Sequence, residues 1–364
     1  MHNYCVILAG GAGSSFWPIC RDDRPKQFHV SDISGKSFVQ QTYDRMLAIF
    51  PEENIYIISL LRYKDLLKEQ FPDMPEDRFI LEPYGRNTAP ATAFAAVKVL
   101  ARDPDAVMTI IPSDQEIGDR LLFRSTLRTA MDYAASKDVL LALGIIPTSP
   151  NTDFGYVQVT GGRDAYEAGK PVKAKTFTEK PSPELAGVFV ESGEFLWNSG
   201  IFVWKASAIL REMHVCSPEI TRLWTGWEQA MNTPAEAGFV EKVYTESPNI
   251  SIDYAVLEKS DNLWVLPARF GWSDVGTFNS YYTHTRKKDS SGNLTSIASG
   301  KSLLREDMND IIWSGNPRKL VVIRGLEDYL VVDTDDVLMI CPRDESRMKE
   351  TLSELTHPGF EEYM

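Results

Sequence analysis

Cysteine is scarce in this chain: Cys5, Cys20, Cys216 and Cys341 are the 4 in 364 residues, with no Cys-x-x-Cys spacing. That excludes a disulfide framework and a cysteine zinc site, and it fits a reducing, cytoplasmic compartment. Histidine is nearly as sparse. His2, His29, His214, His284 and His357 show no ligand spacing and no nucleophile context, so neither a hydrolase triad nor a covalent intermediate is expected. No apolar run approaches the roughly 20 residues of a membrane helix. No basic segment precedes the strand-like residues 5–9, so no secretory signal is expected. Positive charge is in deficit, with 38 Lys and Arg against 51 Asp and Glu and a net charge of −13. Such a balance argues against nucleic acid as a partner, because phosphate backbones are held by basic surfaces. A small anion needs only a local cluster of positive charge and stays open.

What is present is alternation. Apolar runs at 5–9, 55–59, 79–82, 107–111 and 139–145 read as strands, separated by helical patterns at 38–49, 63–70, 88–102 and 121–136. Ser37 and Gln40 make a capping box for the first helix. The order predicts an α/β fold with βαβ units and a mainly parallel central sheet. Ligands in such sheets collect beyond the carboxyl ends of the strands, which directs attention to the loops after Ala9, Glu82 and Ile111. From 151 to about 278 the pattern is less regular, with strand-like 155–159, 173–179 and 200–204 and helical 183–192 and 206–213. A polar, turn-rich stretch at 286–293 predicts a boundary, giving domains 1–285 and 286–364. The second is β-rich, with short strands at 302–304, 311–313, 320–323, 329–332 and 337–341 and a helix at 345–355.

After the first strand comes Gly10-Gly11-Ala12-Gly13-Ser14-Ser15-Phe16-Trp17-Pro18. Glycines let backbone N–H groups approach a polyphosphate closely. The dinucleotide pattern fails because position 16 is Phe16, and the P-loop pattern fails because position 30 is Val30. Alone, the loop is as well read as a structural turn. Arg21, Arg24 and Lys26 follow it, with Pro25 stiffening the chain before Lys26. They form either a polyphosphate clamp or a solvated basic loop.

With Pro25-Lys26-Gln27-Phe28, this segment resembles the signature of mannose-1-phosphate guanylyltransferases, the GDP-mannose pyrophosphorylases. Seven further segments resemble that family in its order. They are Glu82-Pro83-Tyr84-Gly85-Arg86-Asn87-Thr88-Ala89-Pro90, Ile111-Pro112-Ser113-Asp114, Phe154-Gly155-Tyr156 with Glu179-Lys180-Pro181, Trp197-Asn198-Ser199-Gly200, Ser251-Ile252-Asp253-Tyr254-Ala255 and Gly271-Trp272-Ser273-Asp274-Val275-Gly276. The resemblance implies transfer of GMP from GTP to mannose 1-phosphate, giving GDP-mannose and pyrophosphate. It implies a nucleotide side at Ala9, Gly10, Gly11, Gly13, Ser14, Ser15, Lys26, Glu82, Pro83, Arg86, Asn87, Thr88 and Ser113. A sugar side at Gly155, Glu179, Asn198 and Asp253 is implied as well. Lys26 is expected on the triphosphate and Lys180 on the sugar phosphate, with Asp114 and Asp274 holding Mg²⁺, a cation that favours oxygen ligands and keeps substrate phosphates. A lone aspartate at a strand end is otherwise a cap or turn residue, and Arg86-Asn87-Thr88 either bind an anion or base edge or cap a helix. The implied architecture is a Rossmann-like nucleotidyltransferase domain followed by a short left-handed β-helix-like domain that supports a homodimer, with no fused isomerase domain.

The attacking phosphate is already an anion, so the reaction needs no general base and rests on positioning and charge stabilisation. Two residues depart from the family pattern. Ser15 stands where the family has arginine, and Gln115 follows Asp114 where the family often has histidine. Losing a donor aimed at transition-state charge costs about 10²–10³ in rate, and Arg21 or Arg24 are the residues that could replace it. A weakly active or regulatory sugar-nucleotide-binding homologue is therefore one alternative, and a different nucleotide and hexose 1-phosphate pair is another.

Overall fold

The computed structural model describes residues 2–11, 16–29, 35–167, 169–285, 287–355 and 357–363. The chain forms two compact units that interleave along the sequence: Met1–Gly10, Val39–Ser113 and Ile117–Trp272 make the first, and Gly11–Phe38, Asp114–Glu116 and Ser273–Met364 the second. Among the described residues, no helix is long and apolar enough to cross a membrane.

The strands are β1 Asn3–Leu8, β2 Ile55–Leu60, β3 Phe79–Glu82, β4 Val107–Pro112, β5 Gln115–Ile117, β6 Leu140–Ile145, β7 Tyr156–Val159, β8 Val172–Thr178, β9 Phe195–Lys205, β10 Leu263–Ala268 and β11 Trp272–Asp274, followed by β12 Leu294–Ile297, β13 Ser302–Arg305, β14 Ile311–Ser314, β15 Val321–Arg324, β16 Tyr329–Asp333 and β17 Leu338–Pro342. The helices are α1 Phe38–Leu47, α2 Lys64–Gln70, α3 Thr88–Leu100, α4 Arg120–Ser136, α5 Gly162–Glu167, α6 Pro183–Ser192, α7 Ala206–Cys216, α8 Pro218–Leu223, α9 Trp227–Ala230, α10 Glu236–Glu246, α11 Phe278–His284 and α12 Glu345–Glu354.

In the first unit a nine-stranded sheet runs in the order β3-β2-β1-β4-β9-β6-β10-β8-β7. β1 lies parallel to both β2 and β4, β2 to β3, and β6 to β10. β9 runs antiparallel between β4 and β6. β8 runs antiparallel to β10 and to β7, and β7 to β9. The mainly parallel sheet expected from the sequence is therefore mixed: β1 to β4 form parallel ladders, and the other half is largely antiparallel because β9 returns between β4 and β6. β2 and β6 are buried at every position, which explains why each reads as an unbroken apolar run. Register sets Leu8 beside Ile58 and Pro112, and Leu60 beside Glu82, so the ends of β1, β3 and β4 share one edge. α3 is rich in alanine and buried over most of its length. Its small side chains let it lie close to the sheet, in the largest apolar cluster of the unit, which also takes in Phe94, Trp204, Trp224 and Tyr244. α4 starts at Asp119, whose carboxylate caps Leu122 N–H, and buries Phe123, Leu127, Ala130, Met131 and Ala134 on one stripe.

The strand-like stretch read at 200–204 begins earlier: Trp197-Asn198-Ser199-Gly200 is part of β9, which is 11 residues long and pairs with β6 and β7. Gly200 at φ 71° and a register shift between Ala142 and Gly144 mark the irregularity in that strand. Gln40 donates its amide to the Gln70 carbonyl, an interaction the local pattern gave no sign of.

In the second unit β12, β14 and β16 stack in parallel, as do β13 and β15, with Leu294, Ile311 and Leu330 in register. Polar corner residues tie successive strands: Asn293 Oδ1 accepts from Asp310 N–H, and Asp310 Oδ1 accepts from Tyr329 N–H. β17 closes the stack antiparallel to β16. The core of this unit joins Phe16, Trp17 and Cys20 from the glycine-loop segment to Val275, Phe278, Leu294, Ile311, Leu330, Val332 and Met339.

Candidate active site

On the first unit, the loop after β1 is fixed from below. Ser59 Oγ donates to the Ala9 carbonyl at 2.6 Å, Ala9 N–H to the Ile58 carbonyl, and Ser113 N–H to the Leu8 carbonyl. Glu82 ends β3 only 5% exposed, and its Oε1 accepts from the Tyr244 hydroxyl at 2.9 Å. Burial raises its carboxyl to about 7, against the opposing pull of that hydrogen bond. Its Oε2 sits 3.1 Å from where a Cβ on Gly10 would be, so a side chain at this position would crowd the carboxylate.

The rest of the Glu82–Thr88 segment is bound to the region after α9. Tyr84 donates to Glu241, Arg86 Nε to the Tyr244 carbonyl at 3.1 Å, and Ile250 N–H to the Arg86 carbonyl. Asn87 sits at φ 66° and caps α3 through Thr88 N–H, while Thr88 Oγ1 accepts from Ile252 N–H. Of the two readings of Arg86-Asn87-Thr88, the capping one is visible in these bonds. Pro83 lies half-buried between Glu82 and Tyr84.

The residues expected on the sugar side come together on the same unit. Asn198 N–H donates to the Gly155 carbonyl at 2.8 Å, Asn198 Nδ2 to Asp253 Oδ1 at 3.1 Å, and Gly200 N–H to Asn198 Oδ1. A Cβ on Gly155 would strike the Glu179 carboxylate and approach Phe177 and Asn198. Glu179 N–H donates to Glu258 Oε1, placing a third carboxylate beside Glu179 and Asp253. Burial first, then the neighbouring Asp253 and Glu258, raises the Glu179 carboxyl to about 7, with Lys180 opposing. Asp253 is also raised, by burial. Lys180 is exposed and adopts φ 45° just before Pro181, a conformation unfavourable for a side-chain-bearing residue. The product is a half-buried cluster of carboxylates and one amide, the groups that accept from and donate to hydroxyls.

On the second unit, Pro25 leads into a helical turn, Lys26–Phe28. Lys26 is 4% exposed, and its ammonium lies 2.8 Å from Asp114 Oδ2 and 5.5 Å from the ring centres of Phe16 and Phe38. The lysine and the aspartate singled out for different tasks are therefore an ion pair. Gln27 Nε2 donates to the Gly11 carbonyl. Arg21 forms a two-pronged pair with Asp336, at 2.7 and 2.6 Å, which commits its guanidinium to the C-terminal stack. Asp274 is half-buried, with Oδ2 3.2 Å from the Cβ position of Gly276. Gly13, Ser14 and Ser15 lie outside the described residues. Two functional candidates had no sequence signal: Tyr244 sits in the last turn of α10, and Glu258 follows a π-helical turn at Asp253–Leu257.

The nucleotidyl transferase family model matches residues 4–291. A mannose-1-phosphate guanylyltransferase of Escherichia coli is 32% identical over 369 residues, covering 98% of this chain and 76% of the relative. The alginate biosynthesis protein AlgA of Pseudomonas aeruginosa is 34% identical over 361 residues, with coverage of 98% and 73%. A crystal structure from Thermus thermophilus, described as a mannose-1-phosphate geranyltransferase, superposes with a TM-score of 0.83 at 26% identity, over 98% of this chain and 100% of that one. A match of this extent settles the family. The chain belongs to the nucleotidyl transferase family, as a sugar nucleotidyltransferase.

Proposed function

We infer that the protein transfers GMP from GTP to α-D-mannose 1-phosphate, releasing pyrophosphate and forming GDP-mannose. The observation that carries the reading is the Gly155–Glu179–Asn198–Asp253 cluster, a hydroxyl-binding set built on a chain that matches named mannose-1-phosphate guanylyltransferases over nearly its whole length. An oxygen of the sugar phosphate attacks the α-phosphorus. The bond from that phosphorus to the α–β bridging oxygen breaks, and the electron pair leaves with pyrophosphate. Glu179, Asn198 and Asp253 orient the mannose, and Gly155 lets it approach. Lys180 meets the sugar phosphate. Lys26 meets the triphosphate, exchanging Asp114 for phosphate oxygens. Ala9, Gly10, Gly11, Gly13, Ser14, Ser15 and Ser113 supply backbone and hydroxyl donors, and Glu82, Pro83, Arg86, Asn87 and Thr88 form the nucleotide-side wall.

Asp114 and Asp274 offer hard oxygen donors, and among the described residues neither belongs to a group of three or more convergent ligand side chains. Two carboxylates fit a cation that completes its shell with water and substrate phosphates, and Mg²⁺ is the one we assign. When bound it neutralises charge on the phosphate oxygens. Residues 1–285 are assigned to catalysis and 286–364 to a left-handed β-helix that supports a homodimer, in which Leu303, Val322, Leu338 and Ile340 offer exposed apolar surface. The alternative, a binding homologue with little turnover, draws on Ser15 and on the commitment of Arg21 to Asp336. The test is pyrophosphate release with GTP, mannose 1-phosphate and Mg²⁺. Clear preference for another triphosphate or hexose phosphate, or no metal-dependent turnover with any pair, rejects the assignment.

A further inference from the structure

The Glu82 carboxylate has unequal halves. Oε1 is held by the Tyr244 hydroxyl, which comes from α10 and is itself fully buried. Among the described residues nothing donates to Oε2, which lies against Gly10. α10 is pinned to the same segment at two further points, Tyr84 to Glu241 and Arg86 to the Tyr244 carbonyl. The arrangement therefore fixes the carboxylate in one rotation and, among the described residues, leaves Oε2 beside Gly10 without a donor.

We propose that Tyr244 is a positioning residue for base recognition, holding Oε1 of Glu82 so that Oε2 accepts from the N1–H and 2-amino donors of guanine. The proposal rests on the assignment of the Glu82 segment to the nucleotide. An ionised carboxylate accepts at both oxygens, whereas a protonated one turns one of them into a donor that opposes N1–H or the amino group, and two adjacent donors distinguish guanine from bases that lack them. Facing Glu82, β1 and its loop bring Gly10 and β2 brings Leu60, both uncharged. α10 brings Tyr244, and Arg86 of its own segment is turned to the Tyr244 carbonyl. Tyr244 is thus the polar group that governs whether this carboxyl ionises near neutral pH, since its hydrogen bond opposes the burial that raises Glu82 to about 7.

Calorimetric titration with GTP and with inosine triphosphate, which lacks the 2-amino group, tests this without requiring turnover. Tyr244→Phe removes the hydroxyl and keeps the packing. The expected result is a GTP dissociation constant raised about tenfold at pH 6.5, equivalent to one unit of upward shift in Glu82, and nearly restored at pH 8.5. The loss for inosine triphosphate is expected to be smaller. Glu82→Gln, which keeps an acceptor for Tyr244, is expected to weaken GTP at pH 8.5 and to bind it independently of pH between 6.5 and 8.5. Unchanged affinity in both variants, a loss equal at both pH values and for both nucleotides, or no GTP binding by the wild type overturns the proposal. Tyr244-dependent GTP binding with no pyrophosphate release would instead reject the proposed activity and leave this inference standing.

Discussion

Lys26 places its ammonium on Asp114 inside the protein, with two phenyl rings around it. A lysine so enclosed is held in one position, which suits a group that must meet developing negative charge without rearrangement. Lys26→Met keeps the length and removes the charge. The expected result is a fall of about 10²–10³ in kcat/KM, with the melting temperature measured alongside to show that folding is retained. Glu82 gives a pH signature. Its folded carboxyl at about 7 lies above its ordinary 4.5, so the native state binds the extra proton between these values. Stability therefore falls as pH rises through that window, and the penalty is complete above about 7. Glu82→Gln is expected to flatten this slope in urea unfolding measured at pH 5, 6, 7 and 8, and to gain up to roughly 3 kcal/mol at pH 8. Glu179 contributes in the same direction, so part of the slope remains in the variant.

At the scale of elements, two glycines separate packing from recognition. A Cβ on Gly144 of β6 would sit 2.5 Å from Val265 Cγ1 and 2.8 Å from Leu196 Cδ1. Gly144→Ala is expected to cost about 1–3 kcal/mol by overpacking, read in chemical denaturation, with substrate KM values little altered. Gly155→Ala crowds Glu179 and Asn198 instead. Its expected signature is a raised KM for mannose 1-phosphate with that for GTP unchanged. β1 to β4 and α1 to α4 were legible in the sequence because buried parallel strands write continuous apolar runs and the helices write a 3.6-residue stripe. The first half of β9 was not. Its Trp-Asn-Ser-Gly composition carries turn residues, and it is a strand only because β6 and β7 pair with it. The candidate site shows the same division. Glu179, Asn198 and Asp253 stood out through family-like motifs, whereas Tyr244 touches Glu82 through one hydroxyl from a helix with no motif, a contact that spans 162 residues.

For the whole molecule, the grouping of Gly11–Phe38 with Ser273–Met364 matters most. Composition marks a boundary at 286–293, but no local pattern reveals that Phe16, Trp17 and Cys20 pack with Leu294, Ile311, Leu330 and Val332. Trp17 also donates to the Tyr363 carbonyl at 2.6 Å, and Arg21 reaches Asp336. Truncation after residue 285 is therefore expected to lower activity at least about 100-fold through misplacement of the Lys26 segment, beyond any effect on self-association. A coupled pyrophosphate assay beside light scattering separates the two effects. This shared core also sets a schedule. During synthesis Phe16 and Trp17 emerge long before Leu330, Val332 and Met339. A growing chain can complete every strand of the nine-stranded sheet while the signature segment still lacks its apolar neighbours, so competence for chemistry arrives late, after most of the fold already exists.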